Sequence, residues 1–321
     1  MRRNPLGRSN VSVSVLGFGA APIGNLYTAM DDEAAHSAVE AAWTAGVRYF
    51  DTAPHYGLGL SERRLGAALS DKPRERFTIS TKVGRLLVPN PRPTGSDLAA
   101  ASFDVDDAMT RERDYTGDGV RRSLEESLDR LGLDRVDIVY IHDPDDHMDD
   151  AIGEAVPVLV ELRGQGVVGA IGAGMNSADP LMRFATETDV DVLMVAGRWT
   201  LLDRSGAALL ATCEDRGISV AAAAPFNSGL LARPWPPEDS LFDYGPVPAE
   251  ILAAARAAAW TCDSYGSTLP HAAIQFPLQH PAVACVVAGM RTPEEVAQNV
   301  AWATTEPPTG LLAALEASAP G

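Results

Sequence analysis

Of 321 residues only three are cysteine, Cys213, Cys262 and Cys285, with no CxxC and no paired spacing. That excludes a disulfide framework and predicts a chain working in a reducing compartment, the cytoplasm. Cations are also scarce: 26 Lys and Arg stand against 43 Asp and Glu, for a net charge of -17. Sequence-independent binding to nucleic acid relies on cations neutralising phosphates, so no nucleic-acid partner is expected. Long apolar runs are missing too. Stretches such as 221–224 are far too short to cross a bilayer, and the opening Met1-Arg2-Arg3-Asn4-Pro5 leads into polar residues instead of a signal core. Neither a membrane association nor a secretory leader is expected. What the chain does have is apolar content of 46%, enough for a large core.

That apolar content is organised as short β-branched runs alternating with longer helical ones, the pattern of βαβ units around a parallel sheet. Strands are predicted at Val13–Gly17, Val47–Thr52, Phe77–Thr81, Val136–His142, Val167–Ile171, Val190–Val195, Ile218–Ala223 and Ala282–Val287. Helices are predicted at Asp31–Ala45, Ser61–Leu69, Asp118–Leu131, Ala151–Gln165, Ala178–Thr188, Ser205–Arg216 and Pro248–Tyr265. Gly46, Gly132, Gly166 and Gly217 stand where a left-handed residue would end a helix before the next strand. Eight strands with no Pro/Gly/Ser linker predict one α/β domain over 1–321, a (β/α)8 barrel. The alternative, an open doubly wound sheet, lacks its glycine fingerprint after the first strand. Two connections exceed what turns require, Gly84 to Gly117 after the third strand and Asn227 to Val247 after the seventh. Stretches of such length without structure of their own are usually functional, and these are read as substrate-gating loops.

Asp51, Tyr56, Lys82 and His142 fall at the exits of the second, third and fourth strands, where a barrel keeps its chemistry. Singly, each has an ordinary alternative: a turn former, a rim aromatic, a lysine snorkelling to water, a turn histidine. Jointly they read as a proton relay, because an ammonium beside a phenol favours the phenolate and an aspartate holds the ammonium charged. His142 would donate to a substrate oxygen.

The segment Phe50-Asp51-Thr52-Ala53-Xaa-Xaa-Tyr56-Gly57, followed by Ser61-Glu62 and Leu65-Gly66, and the segment Gly132-Leu133-Asp134-Arg135-Val136-Asp137 leading to His142 occur in order along the chain. With them the chain resembles the aldo-keto reductase superfamily. It is most similar to the group containing D-threo-aldose, L-fucose and pyridoxal dehydrogenases, through 171–176, 196–203 and 224–231. The resemblance implies a (β/α)8 barrel, a nicotinamide cofactor and a catalytic tetrad of Asp51, Tyr56, Lys82 and His142. No metal is expected.

The cofactor would lie against Pro225, Phe226, Asn227, Ser228, Gly229 and Leu230, where glycine lets backbone amides approach a pyrophosphate. Beyond the eighth strand, Gly289, Arg291, Thr292, Glu295, Gln298 and Asn299 resemble the adenosine-binding segment and open a helix suited to anions. NADP-dependent members carry a cation at the position of Glu295. A carboxylate about 4 Å from a 2′-phosphate would cost on the order of a few kcal/mol at an effective dielectric near 20, so NAD is expected over NADP. Arg291 is the one nearby cation that could oppose this. Around the nicotinamide, Gly174, Met175, Ala196 and Ala223 replace the usual partners, leaving Asn176 to hold the carboxamide and Trp199 to stack.

The expected reaction is oxidation of a cyclic hemiacetal, from an aldose sugar or pyridoxal, to a lactone, with Tyr56 taking the hydroxyl proton as hydride leaves for NAD. Three alternatives remain: NADP-dependent reduction of aldehydes or ketones, a metal-dependent barrel hydrolase using His142, Asp143, Asp145 and His147, and a catalytically silent binding protein. Trp199, Trp235, Phe103 and Tyr115 are candidates for touching the substrate, a small molecule. Oligomeric state is not legible.

Overall fold

The structure, a computed structural model, describes residues 1–317. Eight parallel strands close into a barrel: β1 Leu16–Gly19, β2 Tyr49–Asp51, β3 Thr78–Val83, β4 Ile138–His142, β5 Ala170–Met175, β6 Val192–Ala196, β7 Ser219–Ala223 and β8 Val283–Gly289, with β8 pairing back to β1. Helices form the outer layer, as expected of a (β/α)8 barrel. The expected domain extent of 1–321 includes 318–321, which lie outside the described residues.

Period-two alternation sets what each strand sends inward. On β4, Ile138 and Tyr140 join the barrel interior, while Val139 and Ile141 face the helices. The same phase puts Tyr49 and Asp51 of β2, Ser80 and Lys82 of β3, and His142 of β4 on the inner face, in the registers Asp51 to Ser80 and Lys82 to Tyr140. Inward glycines make room for these rings. A Cβ on Gly17 would lie 2.7 Å from the Tyr49 ring, and one on Gly172 would strike the Val192 carbonyl.

Several boundaries differ from expectation for physical reasons. The run 13–17 is broken at Val15: Ser12–Ser14 instead pairs antiparallel with Arg3–Pro5, and β1 begins at Leu16. Ser14 Oγ is the pivot, donating to the Leu16 carbonyl and accepting from the Arg48 and Tyr49 amides. Leu6 and Val13 of this hairpin pack with the interior residues and close the barrel floor. The third and fifth strands run further than predicted, so Lys82 and Gly174 lie within strands. Beyond the predicted helices are Leu269–Gln275, Pro293–Thr304 and Leu311–Ala317. Left-handed backbone at Gly46, Gly132, Gly166 and Gly217 ends helices where expected.

The two long connections carry structure of their own. After β3, Arg85–Pro89 pairs with Met109–Arg113 as a hairpin, and Asp107 folds the tip by accepting from the Thr94 and Gly95 amides at 2.7 and 2.6 Å. After β7, Leu241–Phe242 and Gly245–Pro246 form a small hairpin around Asp243 and Tyr244, both left-handed. Arg198 holds Asp243 at 2.8 Å, and the Tyr244 amide donates to Ser228 Oγ.

Candidate active site

The loop after β2 positions Tyr56. Gly57 is left-handed with its Cα against the Gly24 backbone, where a Cβ would clash at 2.2 Å. Ser61 Oγ ties the following helix to the Ala20 carbonyl and Thr52 Oγ1, while the fully buried Glu62 accepts from Thr81 Oγ1 and Arg130 Nε, each at 2.6 Å. Gly66 lets that helix touch the Leu131 carbonyl of its neighbour. These signature residues are scaffold: they hold the Tyr56 loop down on the barrel.

Asp51, Lys82, His142 and Tyr56 are brought together. Lys82 Nζ donates to Asp51 Oδ2 at 2.7 Å and to the Thr52 carbonyl at 3.0 Å, both side chains almost wholly buried. The ammonium lies 4.7 Å from the Tyr56 ring centre, close enough for its charge to act on the phenol. Burial opposes the charge on Lys82, but Asp51 and Tyr56 outweigh it and hold the ammonium above its ordinary range. Tyr56 departs from expectation in sign: burial raises its phenol, Lys82 draws it down, Asp51 pushes it back, and the net position is above the ordinary value. The lysine alone does not offset desolvation of the phenolate.

The Tyr56 and His142 rings stand perpendicular, 5.9 Å apart. Burial, then Arg85 and Lys82, push His142 well below the ordinary imidazole range, so it is neutral at pH 7, and its buried Nδ1 has no protein partner. Tyr115 supports this wall from behind, donating to the His142 and Asp143 carbonyls at 2.7 and 3.0 Å. Sequence reasoning missed His55, whose ring lies 5.3 Å from Phe103, 5.5 Å from His142 and 6.0 Å from Tyr56, with Nδ1 likewise unpartnered. It also missed Arg85, which holds Asp143 at 2.6 Å. Both stand close to tetrad members in sequence, which was the available signal.

Of the aromatic candidates, Phe103 does reach the site, 6.0 Å from the Tyr56 ring. The Trp199 ring packs instead against Phe276 and His280, 5.4 and 5.6 Å away. Trp235 pairs with Trp260 on the surface. The hydrolase ligands also fail to gather. Asp143 is engaged by Arg85, and among the described residues no three His, Cys, Asp or Glu side chains converge on a metal position.

Small inward residues stand near the ends of the next three strands: Gly174 on β5, in register with His142 and beside the Lys82 side chain, then Ala196 on β6 and Ala223 on β7, paired with each other. Asn176 follows β5, half-buried, its carbonyl accepting from Arg198 Nε at 2.7 Å. Beyond β7 the backbone is left-handed at Ala224, Asn227, Ser228 and Gly229, the conformation that turns amides toward an anion. Pro225 and Leu230 are buried, Phe226 packs on Trp302, and the buried Asn227 donates to the Gly197 carbonyl and leaves Oδ1 unpartnered. Beyond β8, Gly289 abuts Pro22, and Thr292 caps the twelve-residue helix Pro293–Thr304, with Glu295 and Gln298 exposed and Asn299 buried. Arg291 is turned away from this helix end: its guanidinium donates to the Leu26, Thr28 and Ala29 carbonyls, while its amide donates to Glu295 Oε2 at 2.7 Å. The left-handed loop, the orphaned Asn227 oxygen and the capped helix fit a dinucleotide laid across the ends of β7 and β8.

A barrel with a buried acid, amine, phenol and imidazole at one mouth and an anion cradle at the other side is the layout of a nicotinamide-dependent oxidoreductase. The chain belongs to the aldo/keto reductase family, whose profile matches residues 15–317. It is 48% identical over 311 residues to a D-threo-aldose 1-dehydrogenase of a Pseudomonas species, covering 96% of this chain and 94% of that protein. A pyridoxal 4-dehydrogenase of Microbacterium luteolum is 39% identical, covering 94% and 92%. In structure it is similar to an aldo-keto reductase from Bacillus halodurans in its holo form, with a TM-score of 0.78 at 24% identity, covering 98% of this chain and 96% of that one. At that identity the likeness concerns the fold. The protein is therefore an NAD(P)-dependent oxidoreductase that binds a small-molecule substrate and a nicotinamide cofactor. None of its described helices is long and apolar enough to cross a membrane.

Proposed function

We propose that this enzyme oxidises a cyclic hemiacetal, of an aldose sugar or of pyridoxal, to the lactone with NAD, and that Tyr56 is its general base. The observation that carries this reading is the buried Asp51–Lys82–Tyr56 contact beside neutral His142. Tyr56 takes the hydroxyl proton, the anomeric C–H bond breaks with its electron pair, and a C=O bond forms; the bound nicotinamide supplies the hydride acceptor. His142, uncharged, donates to the substrate oxygen, and Phe103 and His55 wall the mouth. Asn176 is assigned to the carboxamide, and the loop 225–230 with Gly289 and Thr292 to the phosphates and adenosine. Aldoses and pyridoxal both close to hemiacetals, so one site serves both substrate types named for the relatives.

NAD is favoured over NADP because the Arg291 guanidinium is committed to three carbonyls, while Glu295 is anchored at the helix start. The raised Tyr56 phenol supports a second reading, reduction of an aldehyde or ketone, in which Tyr56 enters protonated and gives its proton to the carbonyl oxygen. We place the protein in the cytoplasm, supported by three buried free thiols. The test mixes the protein with NAD or NADP and pyridoxal, L-fucose, D-arabinose or L-galactose, following reduced nicotinamide. Turnover with NAD and at least one of these is expected; turnover undiminished in Tyr56→Phe would sink the mechanism, and preference for NADP the cofactor assignment.

A further inference from the structure

The interior below the tetrad is not the aliphatic packing a barrel floor ordinarily has. Tyr140 Oη lies 3.3 Å from Tyr49 Oη, Tyr49 Oη 3.0 Å from Ser80 Oγ, and Ser80 Oγ 2.7 Å from Asp51 Oδ1. All three hydroxyl residues are fully buried. Counting protons fixes the direction of every bond. An ionised carboxylate only accepts, so Ser80 spends its single proton on Asp51. Ser80 must then accept from Tyr49, and Tyr49, its own proton spent, must accept from Tyr140. Three O–H dipoles therefore point in series at Asp51 Oδ1, each polarising the next, while Asp51 Oδ2 takes Lys82.

We propose that Ser80, Tyr49 and Tyr140 are positioning residues that act through Asp51, drawing its negative charge toward the barrel floor so that more of the Lys82 charge is left to Tyr56. The proposal rests on the assignment of Tyr56 as the acid–base group. Asp51 opposes the Tyr56 phenolate, so dispersing the Asp51 charge favours the phenolate. The other groups facing Tyr56 are Lys82, Asp143 and Tyr244, with His142 edge-on and His55 tilted beside it and Arg85, Arg111 and Arg113 acting on the imidazoles. The charged and titratable groups acting most strongly on the lower chain are Asp51 and the Cys285 thiol, which burial keeps protonated. Gly17, whose Cβ would strike the Tyr49 ring, preserves the space this arrangement needs.

The test uses the full chain with Ser80→Ala, Tyr49→Phe and Tyr140→Phe, each also combined with Tyr56→Phe. The difference in near-ultraviolet tyrosinate absorbance between each pair titrates Tyr56 itself, without need of turnover. Loss of the donor nearest Asp51 is expected to raise the Tyr56 midpoint by about one pH unit, matched by about a tenfold fall in oxidative kcat/KM at fixed pH below it. Tyr49→Phe should shift it less and Tyr140→Phe least, with NAD affinity unchanged. Midpoints that coincide with the parent in Ser80→Ala and Tyr49→Phe overturn the proposal, whatever the melting temperatures do. Should one variant fail to fold, the other carries the decision. Turnover surviving Tyr56→Phe is a separate failure, of the catalytic assignment, and leaves the titration to be read on its own.

Discussion

The two sides of the barrel mouth are built by different means. On the side of β2, β3 and β4, the proposed catalytic site is built from side chains: Asp51, Lys82 and His142 are inward residues of strands, all buried, with Asp51 and Lys82 compensating each other's charge. Across the mouth at β7 and β8 the proposed cofactor cradle is built from backbone: left-handed residues at Ala224, Asn227, Ser228 and Gly229, and a helix end capped by Thr292. A side-chain site fails when one atom is removed, because its partners are left buried and unpaired. A backbone cradle is more tolerant, and its selectivity is tuned by charges at its rim.

The largest expected effect therefore lies on the tetrad side. Tyr56→Phe should lower kcat/KM by about a thousandfold, within the usual range for losing an acid–base group, while NAD affinity measured by fluorescence titration stays within about twofold. Loss of cofactor binding with turnover would erase the division between the two sides. Lys82→Met should abolish turnover and cost about 3–5 kcal/mol in urea unfolding, since it strands the Asp51 carboxylate in the interior, and adding Asp51→Asn should restore most of that stability. A small loss in the single variant would mean the pair is not the structural keystone its burial implies.

The pH dependence follows from the raised Tyr56 phenol. Below its midpoint the phenolate fraction rises tenfold per unit, so oxidative kcat/KM should climb about tenfold per pH unit from neutrality upward, while carbonyl reduction stays flat and falls only on the alkaline side. A bell centred at neutral pH would refute that sign. On the cradle side the effects should be smaller: Glu295→Arg is expected to move the NADP-to-NAD preference about tenfold toward NADP with kcat little changed. No movement would show that the rim charge is not what selects the cofactor.

The tetrad was legible because its members follow β-branched runs, and a period of two sends Asp51 and Lys82 inward whatever the neighbours do. Trp199 was expected to stack on the nicotinamide, but residues past a strand end obey no such period, and its ring packs against Phe276 and His280. The loop after β3 gave no sign of the hairpin 85–89 with 109–113, whose pairing closes over many intervening residues. His55 stood inside the motif yet showed its proximity to Phe103 and His142 only in three dimensions.

By itself the sequence determined the alternation of strand and helix, the helix-ending glycines and the identity of the four polar groups at the mouth, all consequences of local backbone preference and periodicity. Tertiary structure alone decided the net acidity of Tyr56, the diversion of Arg291 to the carbonyls of the β1 loop, and the row of hydroxyls beneath Asp51. Those depend on desolvation and on distances between strands far apart in the chain, and neither quantity is written in the order of the residues.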